Sequence, residues 1–332
     1  MKQSNDLSLS DFMAPPARPR PLRRSPQTRL DARPGMQELR RRPEKAYETN
    51  VAVELRTGFR IPGLTLLFLF LFLAFSLAQT EPVPLTRVHA HNDYEHPRPL
   101  LDALEHGFCS VEADVHLVNG QLLVAHSRLQ VKAGRTLEAL YLDPLRERAK
   151  KNGGHVYPAG PEFTLLVEFK GDWRTSYPVL RDMLKEYADV LTAFREGAKQ
   201  TNAITVIITG HRSKEMFAGE SLRYAALDGD PADLDSQAPA SLVPWISCDW
   251  ASNFKWRGSG PMPAAERSKL KEIVAKAHQQ GRRVRFWGAP DQPVFWQEML
   301  ANNVDLINTD DLERAQKFLL SAQGRHVEAP NE

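Results

Sequence analysis

Between residues 85 and 322 the chain alternates short apolar runs rich in β-branched residues with longer amphipathic stretches. The short runs predict eight strands: TRVHA (86–90), CSVEADV (109–115), FTLLVEFK (163–170), AITVIITG (203–210), RYAALDG (223–229), VPWISCDW (243–250), RRVRFWG (282–288) and VDLINTD (304–310). The longer stretches predict helices, for example PRPLLDALEHG (97–107) and AAERSKLKEIVAKAHQQG (264–281), each of which ends at a glycine.

Eight strands alternating with helices over about 240 residues have the size and rhythm of a (β/α)₈ TIM barrel. Such a barrel carries its active site on the loops that follow the carboxyl ends of the strands. A doubly wound open sheet is the main alternative, but no glycine-rich phosphate loop follows the first strand. Polar residues cluster where a barrel would need them, at or just past the strand ends: His89, His91, Glu112, Asp114, Glu168, Lys170, His211, Asp228, Asp249, Trp287 and Asp310.

The first 80 residues differ from the rest in composition. Residues 1–60 contain seven prolines and many arginines, which predicts a disordered basic head. Residues 61–80 carry no charge, follow Arg56 and Arg60, and include an apolar run of about fifteen residues with small residues before Gln79. This layout predicts a secretory signal peptide or an uncleaved transmembrane anchor, and hence an exported or membrane-tethered protein. We therefore expect a head (1–60), a signal or anchor (61–80), a barrel (85–322) and a tail (323–332).

Charge is divided unevenly along the 332 residues. Residues 1–60 carry 13 Lys and Arg against 7 Asp and Glu, whereas the remainder carries 30 against 34. A slightly acidic body argues against a nucleic-acid-binding surface, which normally has a basic face. The two cysteines, Cys109 and Cys248, are too few for a disulfide framework and lack metal-binding spacing, so we expect two buried small side chains.

The second predicted strand places two carboxylates on one face. Glu112 and Asp114 are two residues apart, so both side chains should point into the barrel. Buried together they would repel each other unless a cation lay between them, which predicts a divalent metal with Glu168 as third ligand. Oxygen ligands favour Mg²⁺ or Ca²⁺ over zinc. Lys170, on the same face as Glu168, would add a fixed positive charge.

A metal ion and a lysine in one small site suit a substrate with negative charge, and phosphate is the simplest group that fits. His91 ends the first strand, and His126 follows a hairpin whose turn is Asn119-Gly120. If these imidazoles meet across the metal, one can take a proton from the attacking group while the other gives one to the leaving oxygen. The metal would stabilise the charge on the phosphoryl group.

Further strand-end residues are candidates for substrate contacts. His211 and Arg212 follow the fourth strand and could bind phosphate, and Asp249 and Trp287 would line the mouth of the barrel. His89, two residues before His91, should lie deeper in the barrel as a supporting or packing residue.

This ordered set of residues resembles the PLC-like phosphodiesterase barrel superfamily, which includes glycerophosphodiester phosphodiesterases, phosphatidylinositol-specific phospholipases C and sphingomyelinases D. The stretch HAHNDYEHPRPLLDALEHGFCSVEADV looks closer still to a branch named for altered inheritance of mitochondria. The resemblance spans roughly 85–322 and implies a phosphodiesterase acting on a small diester or a lipid headgroup. It further implies that His91 and His126 are the acid and base, and that Glu112, Asp114 and Glu168 bind Mg²⁺ or Ca²⁺.

Three alternatives concern the substrate and the chemistry. Glycerophosphodiester phosphodiesterases begin with His-Arg-Gly and continue with Glu-Asn-Thr, whereas this chain has His91-Asn92-Asp93, so the diester, and its hydrolysis or cyclisation, stay open. His89-x-His91 is also how metal-dependent amidohydrolase and phosphoesterase barrels begin, with both imidazoles on a metal. An inactive barrel that serves as an exported binding protein is the third. The oligomeric state is not predicted.

Overall fold

The structure, a computed structural model, describes residues 81–327, with side chains described up to residue 322. Within this range the strands are β1 (Val88–Ala90), β2 (Ser110–Val118), β3 (Gln121–Val124), β4 (Phe163–Phe169), β5 (Ala193–Arg195), β6 (Ala198–Gln200), β7 (Ile204–Gly210), β8 (Leu222–Arg223), β9 (Ala225–Gly229), β10 (Trp245–Asp249), β11 (Arg283–Trp287) and β12 (Ile307–Thr309). The α-helices in the same range are α1 (Leu101–Glu105), α2 (Asp143–Lys151), α3 (Trp173–Lys185), α4 (Trp250–Asn253), α5 (Ala264–Gln279), α6 (Pro293–Ala301) and α7 (Leu312–Val327).

Eight of the strands form a nearly closed barrel. They lie side by side in the order β11, β10, β9, β7, β4, β2, β1 and β12, and each neighbouring pair is parallel. A parallel bridge between Arg285 of β11 and Leu306, just before β12, joins the two ends of this path. Each predicted run overlaps one of these strands, with β2 extending three residues beyond its run, so the predicted parallel eight-stranded barrel is confirmed.

The connections depart from a regular alternation in two ways. A small antiparallel sheet of β6, β5 and β8 is inserted around β7. In the connections from β7 to β9 and from β9 to β10, the 3₁₀ turns Lys214–Phe217 and Pro231–Asp235 lie where a regular barrel has an α-helix. Prolines at 239 and 244 prevent a long helix in the second of these connections, because proline lacks the backbone donor that a helix interior needs.

The interior of the barrel is layered. Four side chains form a separate buried apolar cluster: Leu166, Ile207, Trp245 and Leu306. Two residues further along the same strands, and therefore on the same face, come Glu168, Thr209, Ser247 and Asn308. An apolar layer of the interior is thus followed, towards the carboxyl ends of the strands, by a polar layer.

Both cysteines match the prediction made for them. Cys109 and Cys248 are buried, and neither forms a disulfide. Burial raises the pKa of each thiol to about 12, so both stay protonated.

The predicted exported or membrane-tethered location is contradicted. Residues 1–60 and 61–80, on which the predicted head and signal or anchor rested, lie outside the described residues. In the part that the structure describes, none of the helices has the length and apolarity needed to cross a bilayer. The helices α5 and α7 have 16 residues each, whereas a span takes about 20 apolar ones. We therefore do not retain the location.

A buried carboxylate holds the loop that follows β1. Asp93 is fully buried, and its Oδ2 accepts hydrogen bonds from the backbone N–H of Leu100 at 2.6 Å and from the Tyr141 hydroxyl at 2.8 Å. Its Oδ1 has no hydrogen-bond partner among the described residues. Burial raises the pKa of Asp93 to about 7. Asn92 and Leu100, with φ of 48° and 64°, bend this loop around the carboxyl group.

Asp93 should make stability depend on pH. Because its pKa is raised in the folded state, its contribution is fully present below the unfolded pKa of about 3.9 and is lost as the pH rises through about 7. Between about pH 6 and pH 8.5 we expect the free energy of unfolding in urea to fall by roughly 1.4 kcal/mol and then to level off. The fall should be smaller in Asp93→Asn, which accepts the same hydrogen bonds but cannot ionise. Equal pH dependence in both proteins would contradict this assignment.

Candidate active site

Three carboxylates come together in the middle of β2 and at the carboxyl end of β4. Glu112 and Asp114 lie on β2, and Glu168 of β4 is paired in register with Asp114. One oxygen from each of the three lies within 4.8 Å of the others, with Glu112 and Asp114 buried and Glu168 partly exposed. Oxygen donors at this spacing could hold a divalent cation, as the spacing of Glu112 and Asp114 predicts.

Asp114 has one oxygen in use and one without a partner. Its Oδ2 lies 2.8 Å from Lys170 Nζ and 2.6 Å from the Tyr94 hydroxyl. Its Oδ1 is buried and makes no hydrogen bond within the described part of the chain. Burial, together with the charges of Glu168 and Glu112, raises the pKa of Asp114 to about 6. A buried oxygen without a partner beside two carboxylates fits a bound cation, because such an oxygen otherwise costs free energy.

Lys170 supplies positive charge at the edge of this cluster. Its Nζ lies 2.7 Å from Glu168 Oε1 in addition to its contact with Asp114. Burial acts to lower the pKa of Lys170, but the hydrogen bonds to Asp114 and Glu168 outweigh it and the pKa is raised. The ammonium group is therefore charged at neutral pH.

Two histidines face one cavity: His91 is hydrogen-bonded to a carboxylate, and His126 is hydrogen-bonded to the Tyr94 hydroxyl with a carboxylate nearby. His91 Nδ1 lies 2.9 Å from Asp310 Oδ1, and His126 Nδ1 lies 3.3 Å from Asp114 Oδ2. The Nε2 atoms of both rings make no hydrogen bond to any residue that the structure describes. Both histidines line a cavity of about 650 Å³ together with Glu112. An imidazole that is oriented by a hydrogen bond at Nδ1 has Nε2 free for proton transfer.

The carboxylate partner changes the protonation of His91. Burial acts to lower the pKa of His91, but the hydrogen bond to Asp310 and the negative charge of Glu112 outweigh it and the pKa is raised. Asp310 ends the last predicted strand, so its place at the barrel mouth was expected. Its pairing with His91 was not predicted.

Tyr94 is a site residue that the sequence analysis missed. Its hydroxyl lies 2.6 Å from Asp114 Oδ2, 2.6 Å from Asn92 Oδ1 and 3.1 Å from His126 Nδ1. The 3₁₀ turn Asp93–Glu95 brings this side chain over the end of β2. Tyr94 thus connects the first loop of the barrel to one histidine and one proposed metal ligand.

Arg285 is a second site residue that the sequence pattern did not predict. It lies on β11, is buried, and its Nη1 donates to Glu112 Oε2 at 2.7 Å. Its Nε donates to Ser247 Oγ at 3.1 Å. Burial acts to raise the pKa of Glu112, but the charge of Arg285 and the hydrogen bond with His89 hold it well below its usual range. Glu112 is therefore ionised in the barrel interior.

His89 lies below the site as a supporting residue, as predicted. It is fully buried, with Nδ1 at 2.7 Å from Ser110 Oγ and Nε2 at 3.0 Å from Glu112 Oε2. Burial, and then the charge of Arg285, lower the pKa of His89 to about 4, so the ring is neutral at pH 7. Both ring nitrogens of His89 therefore have a hydrogen-bond partner. This arrangement disfavours the alternative in which His89 and His91 bind a metal together.

The predicted substrate-contacting residues divide into two groups. Arg212, Asp249 and Trp287 line the cavity, and the Trp287 ring is 44% exposed there. The carboxylate of Asp249 also caps α4 by accepting from the backbone N–H of Ser252 at 2.9 Å. His211 is exposed and does not line the cavity, because the chain turns at Gly210, where φ is 72°.

Comparisons with known proteins give one family. A family model described as the AIM6-like phosphodiesterase domain matches residues 78–226. Altered inheritance of mitochondria protein 6 of Eremothecium gossypii is 34% identical over 277 residues, which cover 70% of this chain and 69% of that protein. The protein of the same name from Lachancea thermotolerans is 32% identical over 276 residues, which cover 68% and 64%. A solved glycerophosphodiester phosphodiesterase from Parabacteroides distasonis is similar at 18% identity and a TM-score of 0.42, covering 73% of this chain and 99% of that one.

The pairing of His91 with Asp310 can be tested by NMR. In Asp310→Asn the pKa of His91 should fall, because the substitution removes the carboxylate that raises it. The measurement is the titration of the His91 ring protons. Asp311→Asn is the matched control, since the Asp311 carboxylate contacts Arg314 instead. A His91 titration that is the same in all three proteins would rule out the pairing.

Proposed function

Because the chain belongs to the family of altered inheritance of mitochondria protein 6, and residues 78–226 match a phosphodiesterase domain, we propose that it is a metal-dependent phosphoric diester hydrolase. One observation carries the proposal: Glu112 and Glu168 of the three-carboxylate cluster border the same cavity as His91 and His126. Cleavage of a phosphodiester requires charge neutralisation, a proton acceptor and a proton donor. The cavity contains groups suited to each.

Glu112, Asp114 and Glu168 would hold the divalent cation. All three offer oxygen, and the unpartnered Asp114 Oδ1 is available to a ligand. This donor set favours Mg²⁺ or Ca²⁺. When bound, such a cation offsets negative charge on the phosphoryl oxygens.

His91 and His126 would transfer the protons. Nδ1 of His91 is held by Asp310 and Nδ1 of His126 by the Tyr94 hydroxyl, which leaves Nε2 of each ring to exchange a proton with a reacting oxygen. The raised pKa of His91 favours its protonated form, which suits donation to the leaving oxygen. His126 would then accept a proton from the attacking water or substrate hydroxyl.

Lys170 and the outer part of the cavity would bind the substrate. The charged Nζ of Lys170 lies at the edge of the carboxylate cluster, where a phosphoryl oxygen would lie. Arg212, Asp249 and Trp287 line the remaining space and would contact the two groups esterified to the phosphate. The proposed substrate is a small phosphodiester or a lipid headgroup.

His126→Ala tests the acid-base pair. With bis-p-nitrophenyl phosphate as substrate, we expect kcat to fall by about 10² to 10⁴, the usual contribution of a positioned general acid or base. His155→Ala is the matched control, because His155 is exposed in the connection that enters β4 at the opposite end of the barrel. Unchanged turnover in His126→Ala would refute the assignment, and a protein that binds diesters without turnover would support the binding-protein alternative.

Metal dependence is tested with a chelator. Removal of divalent cations from the full chain should abolish turnover of the same diester, and added Mg²⁺ or Ca²⁺ should restore it. Asp114→Asn should lower the response to added metal, because it replaces one of the three carboxylates. Turnover that is unaffected by the chelator would show that the carboxylate cluster does not act as a metal site.

A further inference from the structure

The polar layer inside the barrel contains a buried arginine, Arg285, to which the proposed function assigns no role. Arg285 is only 3% exposed, although it carries a permanent charge. Two carboxylates lie close to it: Glu112 Oε2 at 2.7 Å from Nη1 and Asp228 Oδ2 at 3.7 Å from Nη2. A buried guanidinium is tolerated only when it is paired and hydrogen-bonded, so this site is built around Arg285.

The guanidinium is held in one orientation from several strands. Its Nε donates to Ser247 Oγ of β10 at 3.1 Å, and its Nη1 donates to Asn308 Oδ1 of β12 at 3.2 Å. Asp228 of β9 is held in turn by Ser247 at 2.8 Å and by Thr209 at 3.0 Å. With its plane set by these neighbours, the arginine presents Nη1 to Glu112 in a fixed direction.

Glu112 receives both of its hydrogen bonds on the same oxygen. Arg285 Nη1 and His89 Nε2 lie 2.7 Å and 3.0 Å from Oε2. His89 is itself held by Ser110 Oγ at 2.7 Å. Oε1 of Glu112 has no hydrogen bond to a described residue, and Glu112 lines the cavity beside Glu168. The carboxylate is therefore anchored through one oxygen and offers the other to the carboxylate cluster.

We infer that Arg285 is a positioning residue that anchors Glu112 through Oε2 and thereby presents Oε1 to a divalent cation. The inference rests on the proposed function, because it concerns the same cation. A lysine could not replace Arg285, since one ammonium nitrogen cannot contact Glu112, Ser247 and Asn308 in a fixed plane. Groups that orient metal ligands typically contribute about 10- to 100-fold to metal affinity.

The test is calorimetric titration of the full chain with Mn²⁺, which reports binding without turnover. We expect Arg285→Lys to weaken Mn²⁺ binding by about 10- to 100-fold. Arg283→Lys is the matched control: Arg283 lies two residues earlier on β11, and it contacts the Thr86 carbonyl at 2.7 Å and the Trp245 ring at 5.6 Å. The Mn²⁺ affinity of the Arg283→Lys protein should stay within about twofold of that of the unmodified protein.

A purely structural role of Arg285 would give a different result. Arg285→Lys would then unfold at a lower temperature but bind Mn²⁺ as tightly as the unmodified protein, and this result would overturn the inference. If Arg285→Lys does not fold, Ser247→Ala decides, because it removes one orienting hydrogen bond and keeps the arginine. Weaker Mn²⁺ binding by Ser247→Ala supports the inference, and unchanged binding overturns it. Absence of Mn²⁺ binding by the unmodified protein would instead overturn the proposed metal site, and this inference with it.

Discussion

The ion pair between Glu112 and Arg285 is the contact on which the rest of the site depends. It joins residues 173 positions apart, from β2 and β11, next to a buried apolar cluster of four residues inside the barrel. Two charges in such a place are costly unless every donor and acceptor nearby has a partner. That requirement explains the surrounding layer, in which Ser247, Asn308 and Asp228 hold the arginine and His89 shares the glutamate.

This polar layer also separates the two ends of the barrel interior. Towards the strand beginnings lies the buried apolar cluster of Leu166, Ile207, Trp245 and Leu306. Towards the carboxyl ends, the cavity opens beside Glu112. A rigid network over a packed apolar base limits the movement of Glu112, and precise placement of ligands is what a metal site requires.

Asp114 connects the two chemical parts of the candidate site. It belongs to the carboxylate cluster, and its Oδ2 also lies close to His126, Tyr94 and Lys170. In the proposed function, metal binding and the position of one histidine therefore involve the same side chain. The other histidine has a partner of its own, Asp310, which comes from the opposite end of the barrel sequence.

The sequence by itself determined those features that depend on local periodicity. Alternating apolar runs located the eight barrel strands, spacing of two placed Glu112 and Asp114 on one face, and Asn119-Gly120 formed the predicted hairpin with φ of 49° and 80°. Only the tertiary structure decided which side chains of the site contact each other. Asp310 meets His91 across 219 residues, Tyr94 meets His126 through a loop bend, and His211 turns away at Gly210. Such contacts depend on barrel closure and loop geometry, and neither leaves a periodic pattern in the sequence.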